Sequence, residues 1–252
     1  MKTTNSKYKE NINQAGNVMV YILLAIGLLA SLGYAVMSSM NTSGAGLSKE
    51  KSNIYANEIM TYGNTLSDAI QNLILIENCE PTEISFAHEE DDEYENTLSP
   101  VSEECNLFSI EGAAITRLQS IPEINDGSPY IYGTSYIHAV GNGYDNAQCS
   151  SPNCSELVLF LKNIDKSVCE SINKRLGIKD KFDKIPQDTG DAAMQKFSGT
   201  YAEDCGAGNC ENWIGDSSSK ENVLFGKKSG CFEGGGNPKQ GTYHYYHVIY
   251  AQ

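Results

Sequence analysis

Residues 17–37, NVMVYILLAIGLLASLGYAVM, decide how the rest of the chain is read. They hold no charged side chain, and none occurs between Glu10 and Lys49. The 21 residues make about 31 Å of helix at ~1.5 Å each, enough to cross the hydrocarbon of a bilayer. The apolar surface comes from Val18, Val20, Ile22, Leu23, Leu24, Ile26, Leu28, Leu29 and Leu32, with Tyr21 among them. A transmembrane helix is therefore expected over 17–40. Lys2, Lys7 and Lys9 precede it, so the positive-inside bias keeps residues 1–16 in the cytoplasm and sends the C-terminus outward. That implies a single pass of the inner membrane with the C-terminal part in the periplasm. Three fates of the segment stay open. A signal peptidase could cut after Ala35, where Gly33-Tyr34-Ala35 offers small residues, although the apolar run is long for a signal peptide. The segment could remain as an uncleaved anchor. Or cleavage on the cytoplasmic side, after Gly16, could leave Asn17 at the head of an apolar helix.

Outward from this segment, composition bounds the remainder. The chain has 252 residues, 40% hydrophobic and 20% charged, which fits a globular domain with an anchor rather than a disordered or polytopic chain. The net charge is −14; Lys2, Lys7, Lys9 and Glu10 sum to +2, so everything beyond Gly16 carries −16. Such a surface repels nucleic acid phosphates, which argues against nucleic acid as a partner. All eight cysteines, Cys79, Cys105, Cys149, Cys154, Cys169, Cys205, Cys210 and Cys231, lie beyond the apolar segment. An even number in an exported domain reads as a disulfide framework. The first pairs to expect are Cys149 with Cys154 and Cys205 with Cys210, each enclosing a short Gly/Ser/Asn/Pro-rich loop. The competing reading is a four-thiolate zinc site built from the same two C-x4-C knuckles.

After the glycine-bearing stretch 41–46, expected to loosen the helix, apolar side chains recur at Ile59, Tyr62, Leu66, Ala69, Leu73 and Ile76. Alternating steps of three and four make one helical stripe, so 41–78 is an amphipathic extension and 79–252 a globular head. Within the head, 130–140 is rich in β-branched and aromatic residues and closes on Gly141-Asn142-Gly143, a strand and turn. Residues 156–161, ELVLFL, are a buried strand or a helix start. Residues 165–176 read as a helix with Asp165 as N-cap and Gly177 as stop. The glycine-rich 234–241 and the aromatic 243–250 predict a terminal hairpin or meander. The expected fold class is α+β: a long N-terminal helix, half transmembrane and half amphipathic, on an antiparallel, disulfide-bearing head.

No spacing singles out catalytic chemistry. His244 and His247 are three apart, so on a strand they face opposite sides and do not share a metal. Asp188-Thr189-Gly190-Asp191 carries the Asp-Thr-Gly of aspartic proteases, but with no second copy and no apolar strand before it. It reads as a turn. No Gly-x-Ser-x-Gly elbow, His-Glu-x-x-His helix or Walker loop occurs. The chain is expected not to be an enzyme and to hold no cofactor. Calcium is the exception to consider, with Asp188 and Asp191 beside Asp145-Asn146 as oxygen donors. The acidic 88–95, HEEDDEYE, reads as a solvated loop, with calcium as the sharper alternative. The tyrosines of 243–250 read first as core and second as an adhesive surface.

A short basic leader ending in Gly16, then about twenty apolar residues from Asn17, then an amphipathic stretch, resembles the prepilin leader and helix of type IV pilins and type II secretion pseudopilins. SELVLFLKNIDKSVCESINKRLGI and GCFEGGGNPKQGTYHYYHVIYAQ look like uncharacterised alphaproteobacterial pilin-like proteins. The resemblance covers the first sixty residues in architecture and the last hundred loosely. It implies a leader removed after Gly16 by a prepilin peptidase, methylation of the new terminus at Asn17, and assembly through the apolar helix with other pilin-like subunits or further copies of itself. The product would be an extracellular filament or a secretion pseudopilus. Two positions depart from the family pattern. Asn17 stands where Phe or Met is usual, and Tyr21 stands where the family carries a glutamate that pairs with a neighbouring amine. That departure implies a minor or tip subunit. The alternative is a membrane-tethered adhesin or ligand-binding domain that never polymerises.

Overall fold

The structure, a computed structural model, describes residues 13–96, 102–141, 155–180, 182–188, 195–201, 213–215, 223–236 and 238–252, without the side chains of 13–17, 33–47, Gln195 and Trp213. Helix α1 occupies Asn13–Leu75, so the stretch 41–46 is helical rather than a break. The chain divides into two compact units, Met1–Glu50 and Lys51–Gln252.

Two expectations give way. First, among the described residues no helix is long and apolar enough to cross a membrane. The transmembrane half expected over 17–40, and with it the single-pass placement in the inner membrane, is corrected accordingly. Second, the sheet is mixed rather than antiparallel.

The second unit is built on seven strands. These are β1 (Tyr130–Ile137), β2 (Glu156–Leu161), β3 (Gln187–Asp188), β4 (Gln195–Lys196), β5 (Trp213–Ile214), β6 (Ser229–Gly234) and β7 (Tyr243–Tyr250), with helix α2 (Lys166–Leu176) between β2 and β3. Their order is β3-β6-β7-β2-β1-β4, and β5 pairs with β1. The long strands β1, β2, β7 and β6 pair antiparallel in turn. The parallel pairs are β1 with β5 and β3 with β6. Each joins segments far apart in sequence, as parallel pairing requires because a tight turn can only return a chain antiparallel.

Alternation along the strands divides the core in two. Leu157, Leu159 and Leu161 of β2, Cys231 of β6 and Tyr245 and Ile249 of β7 share one core with Ile59, Leu66 and Ile70 of α1 and Val168 and Ile172 of α2. Val158, Phe160, Phe232, Tyr246 and Val248 pack on the other face against Ile137, Ile178, Ile214 and Leu224. Because β2 is covered on both faces, all six of its residues are buried. This is why its residues 157–161 are an unbroken apolar run rather than an alternating one. Of the stripe read on α1, Ile59, Tyr62, Leu66, Ala69 and Leu73 are buried. Ile76 departs from it, exposed just beyond the helix end.

Helix α2 starts and stops where its capping residues place it. Asp165 Oδ1 accepts from the Ser167 N–H at 2.8 Å, and Gly177 closes the helix at φ +66°, a conformation that favours glycine. The 229–250 segment is the expected hairpin, with Glu233 opposite Tyr243 and Ser229 opposite His247. Tyr245 and Tyr246 are fully buried, so the aromatic run serves the core.

One close approach fixes α1 on the sheet. A Cβ added at Gly63 would lie 2.8 Å from Cγ of the His247 ring, and Ser67 Oγ is 3.2 Å from His247 Nε2. The G63A substitution gains helix propensity of about 1 kcal/mol but overpacks the ring at a cost of about 1–3 kcal/mol. We expect G63A to lower stability in chemical denaturation, and to raise it when His247 is also alanine. A destabilisation that persists unchanged in the double variant would contradict this contact.

Candidate functional site

The feature without a partner in its own unit is the apolar helix. Val18, Met19, Val20, Tyr21, Ile22, Leu23, Leu24, Ile26, Leu28, Leu29 and Leu32 are between 53% and 69% exposed. Exposure on every side distinguishes this stretch from the 51–75 part of α1, where one stripe is buried. Val20, Leu23, Leu24, Gly27 and Leu28 form a shallow groove along it, and a Cβ at Gly27 would meet nothing within 4 Å. Covering one such side chain is worth about 1.5–3 kcal/mol. A continuous patch of this kind marks a surface that another molecule occupies. Gly16 and Asn17 lie within α1 but their side chains fall outside the described residues, as do residues 1–12 altogether.

Among the described residues, four cysteines form two disulfides. Cys79 and Cys105 are joined with Cα atoms 5.9 Å apart, and Cys169 and Cys231 with Cα atoms 5.5 Å apart. Cys79 and Cys105 tie the segment after α1 to the turn Glu103–Cys105, and Cys169 and Cys231 tie α2 to β6. No free cysteine occurs among the described residues. These four are therefore not thiolate ligands. Cys149, Cys154, Cys205 and Cys210, the two expected local pairs, lie outside the described residues.

The acidic 88–95 segment is only partly solvated. Asp91 Oδ1 accepts from the Glu93 N–H and starts the single turn Asp92–Tyr94, which buries Tyr94. Lys196 Nζ lies 2.5 Å from both Asp91 Oδ2 and Glu93 Oε2, and Arg117 pairs with Glu90. Partial burial works to lower the Lys196 pKa, but the bonds to Asp91 and Glu93 outweigh it and raise it to about 12. Asp188 is likewise engaged: it is buried at the end of β3, where Oδ2 accepts from the Gly215 N–H at 2.8 Å. Among the described residues no three His, Cys, Asp or Glu side chains converge as metal ligands. Asp191, Asp145 and Asn146 lie outside the described residues.

The head buries several titratable groups. Glu156 opens β2 and is 1% exposed. Its Oε2 accepts from the Ile137 N–H at 2.9 Å, while Oε1 has no partner among the described residues. Burial pushes its pKa up to about 8, and the Ile137 bond offsets only part of this. A glutamate heading an otherwise apolar run was the available signal. His244 and His247 occupy opposite faces of β7. His244 stacks on Phe160 with ring centres 5.8 Å apart, and His247 meets α1. Burial lowers both to about 4, with Lys162 and Lys228 respectively acting in the same direction. A tyrosine cluster links α1 to the sheet: the Tyr62 and Tyr132 hydroxyls are 2.8 Å apart, and Tyr94 Oη accepts from the Tyr132 N–H. Burial raises all three phenols.

No protein-family model, no curated protein and no solved structure matches this chain.

Proposed function

We propose that this protein is a structural subunit, minor or tip, of a pilin-like filament outside the cytoplasm, assembling through its apolar helix with other pilin-like subunits or with itself. The observation that carries the reading is the helix surface over 18–32, whose described side chains are all exposed. A surface apolar on all sides is covered most completely when several like helices surround it. The disulfides support maturation in an oxidising compartment. Tyr21, 67% exposed, brings a hydroxyl and no charge into such a bundle, so no partner amine is needed to neutralise it. The role as a minor or tip subunit follows from that residue. Removal of the leader by a prepilin peptidase after Gly16 places Asn17 at the start of the packed helix.

The test is the filament itself. Native material is expected to show an N-terminus at Asn17 by mass spectrometry, and filaments by electron microscopy with residues 17–40 at their centre. Replacing Leu23 and Leu28 by glutamate places two charges in the bundle, each costing several kcal/mol when unpaired. Filaments are expected to disappear, while both described disulfides and the near-ultraviolet circular dichroism stay unchanged. Filaments of normal yield from L23E/L28E, or a native N-terminus at Met1 or Val36, would refute the reading.

A further inference from the structure

Charge is distributed unevenly in this chain. Residues 162–184 hold seven Lys or Arg and four Asp or Glu, net +3, so the remainder of the chain carries −17. Lys166, Lys174, Lys179 and Lys184 line a cleft of about 660 Å³ between α2 and the segment leading to β3, with Ile185 and Tyr243 as apolar lining. Two of these lysines are paired within the cleft, Lys166 with Glu170 at 3.9 Å and Lys179 with Asp183 at 2.6 Å. Glu233 Oε1 accepts from the Gly241 N–H. Lys174 and Lys184 are exposed and have no carboxylate partner among the described residues.

The cleft sits at the β3–β6 edge of the sheet. The acidic segment 88–95 sits at the opposite edge, held against β4 by Lys196. Five strand spacings separate β3 from β4, about 24 Å at ~4.8 Å each. Within that segment Glu90, Asp91 and Glu93 are paired, whereas Glu89, Asp92 and Glu95 are exposed with no ion pair among the described residues. One head therefore carries a cationic concavity on one edge and an anionic projection on the other. Such a pair of surfaces cannot satisfy itself within one head. Joined between copies it makes a head-to-tail contact that leaves a free end of each kind, and so propagates.

We propose that the lysine cleft beside α2 docks the acidic 88–95 segment of the next copy. The inference rests on the filament reading and adds to it a contact between heads. Lys174 and Lys184 supply the unpaired cations, Glu89, Asp92 and Glu95 the anions, and Ile185 and Tyr243 the apolar lining. The chemistry is charge complementarity at a half-desolvated surface, so the contact weakens as salt rises.

The experiment uses the full chain in detergent micelles, which cover the apolar helix, so that association reports the heads. Two variants reverse one surface each: K174E/K184E and D92K/E95K. Wild type is expected to self-associate at about 50 mM salt and to dissociate at about 500 mM. Each variant alone is expected to associate about tenfold more weakly, and an equimolar mixture of the two to recover, because every cleft then meets a loop of opposite sign. Carbodiimide coupling of isotopically distinct copies is expected to join Lys174 or Lys184 of one to Glu89, Asp92 or Glu95 of the other. Near-ultraviolet circular dichroism establishes that both variants are folded. Folded variants that associate like wild type, or a mixture that fails to recover, overturn the proposal. So does a K174E/K184E variant that loses only binding to an anionic polysaccharide such as alginate, which would assign the cleft to a glycan. The two readings fail separately: wild-type filaments without the cross-links remove the head contact alone, while cross-links and rescue in detergent stand whether or not filaments form.

Discussion

Replacing Cys169 and Cys231 together by alanine is expected to lower the stability of the head by about 4 kcal/mol. The bridge closes a loop of 62 residues, and the loop-closure entropy it removes from the unfolded chain grows with the logarithm of that length. Cys79 and Cys105 are 26 positions apart, for which the same relation gives about 3.5 kcal/mol. Cys169 and Cys231 are both fully buried, so the lost sulfurs also leave a small cavity, which widens the difference. The variant is nonetheless expected to fold, because the bridge is not the only link between α2 and β6. The Asn173 side chain brackets Cys231 by donating to its carbonyl at 2.7 Å and accepting from its N–H at 2.9 Å. Urea unfolding of the wild type and the two double-alanine variants gives the comparison. A loss under about 1 kcal/mol for C169A/C231A, or a larger loss for C79A/C105A, would contradict this ranking.

The second large effect is a dependence on pH. Glu156 has its carboxyl raised by burial from 4.5 to about 8, so the folded head holds a proton that the unfolded chain releases. Its contribution is fully present below about pH 4.5 and is lost as pH rises through about 8. The full difference corresponds to at most about 5 kcal/mol. His244 and His247 act in the opposite sense. Lowered from 6.5 to about 4, they contribute stability above pH 6.5 that is lost as pH falls through about 4. Together the three groups place the stability maximum near pH 6.5, with a decline on each side. The E156Q variant is expected to steepen the acid limb above about pH 4.5 and to flatten the alkaline limb between about pH 6.5 and 8. Denaturation midpoints measured across this range decide the matter, and an alkaline decline unchanged in E156Q assigns it to other groups.

The features legible in the sequence were those set by local chemistry. Asp165 and Gly177 bound α2 because a side-chain cap and a left-handed glycine act within one turn. The stripe from Ile59 to Leu73 was legible because its period is that of the helix it forms. The aromatic run 243–250 reads as core because a strand alternates, and both of its faces are covered. What was not legible depends on residues far apart. The pairing of Cys169 with Cys231 follows from α2 lying on β6. The parallel two-residue strands β3 and β5 have too little sequence to carry a period. Glu156 reads as an ordinary polar start to a strand until Gly141 is seen 2.9 Å from its Oε1 at the position of an added Cβ. The lysines of 166–184 follow no spacing that would bring them together. Only the tertiary fold turns them into one side of a cleft.

The position of β7 in the sheet has a consequence for biogenesis. It lies between β6 and β2, which touch each other nowhere in the strand order. A nascent chain that has reached residue 242 already contains β1, β2, α2 and β6, yet no strand pairing joins β2 to β6. Until residues 243–250 leave the ribosome, β2 and β6 each present an unpaired edge, and the tyrosine-rich strand that closes them arrives last. The interval is one in which a holding chaperone, or delayed oxidation of Cys231, determines whether the edges find β7 or another molecule.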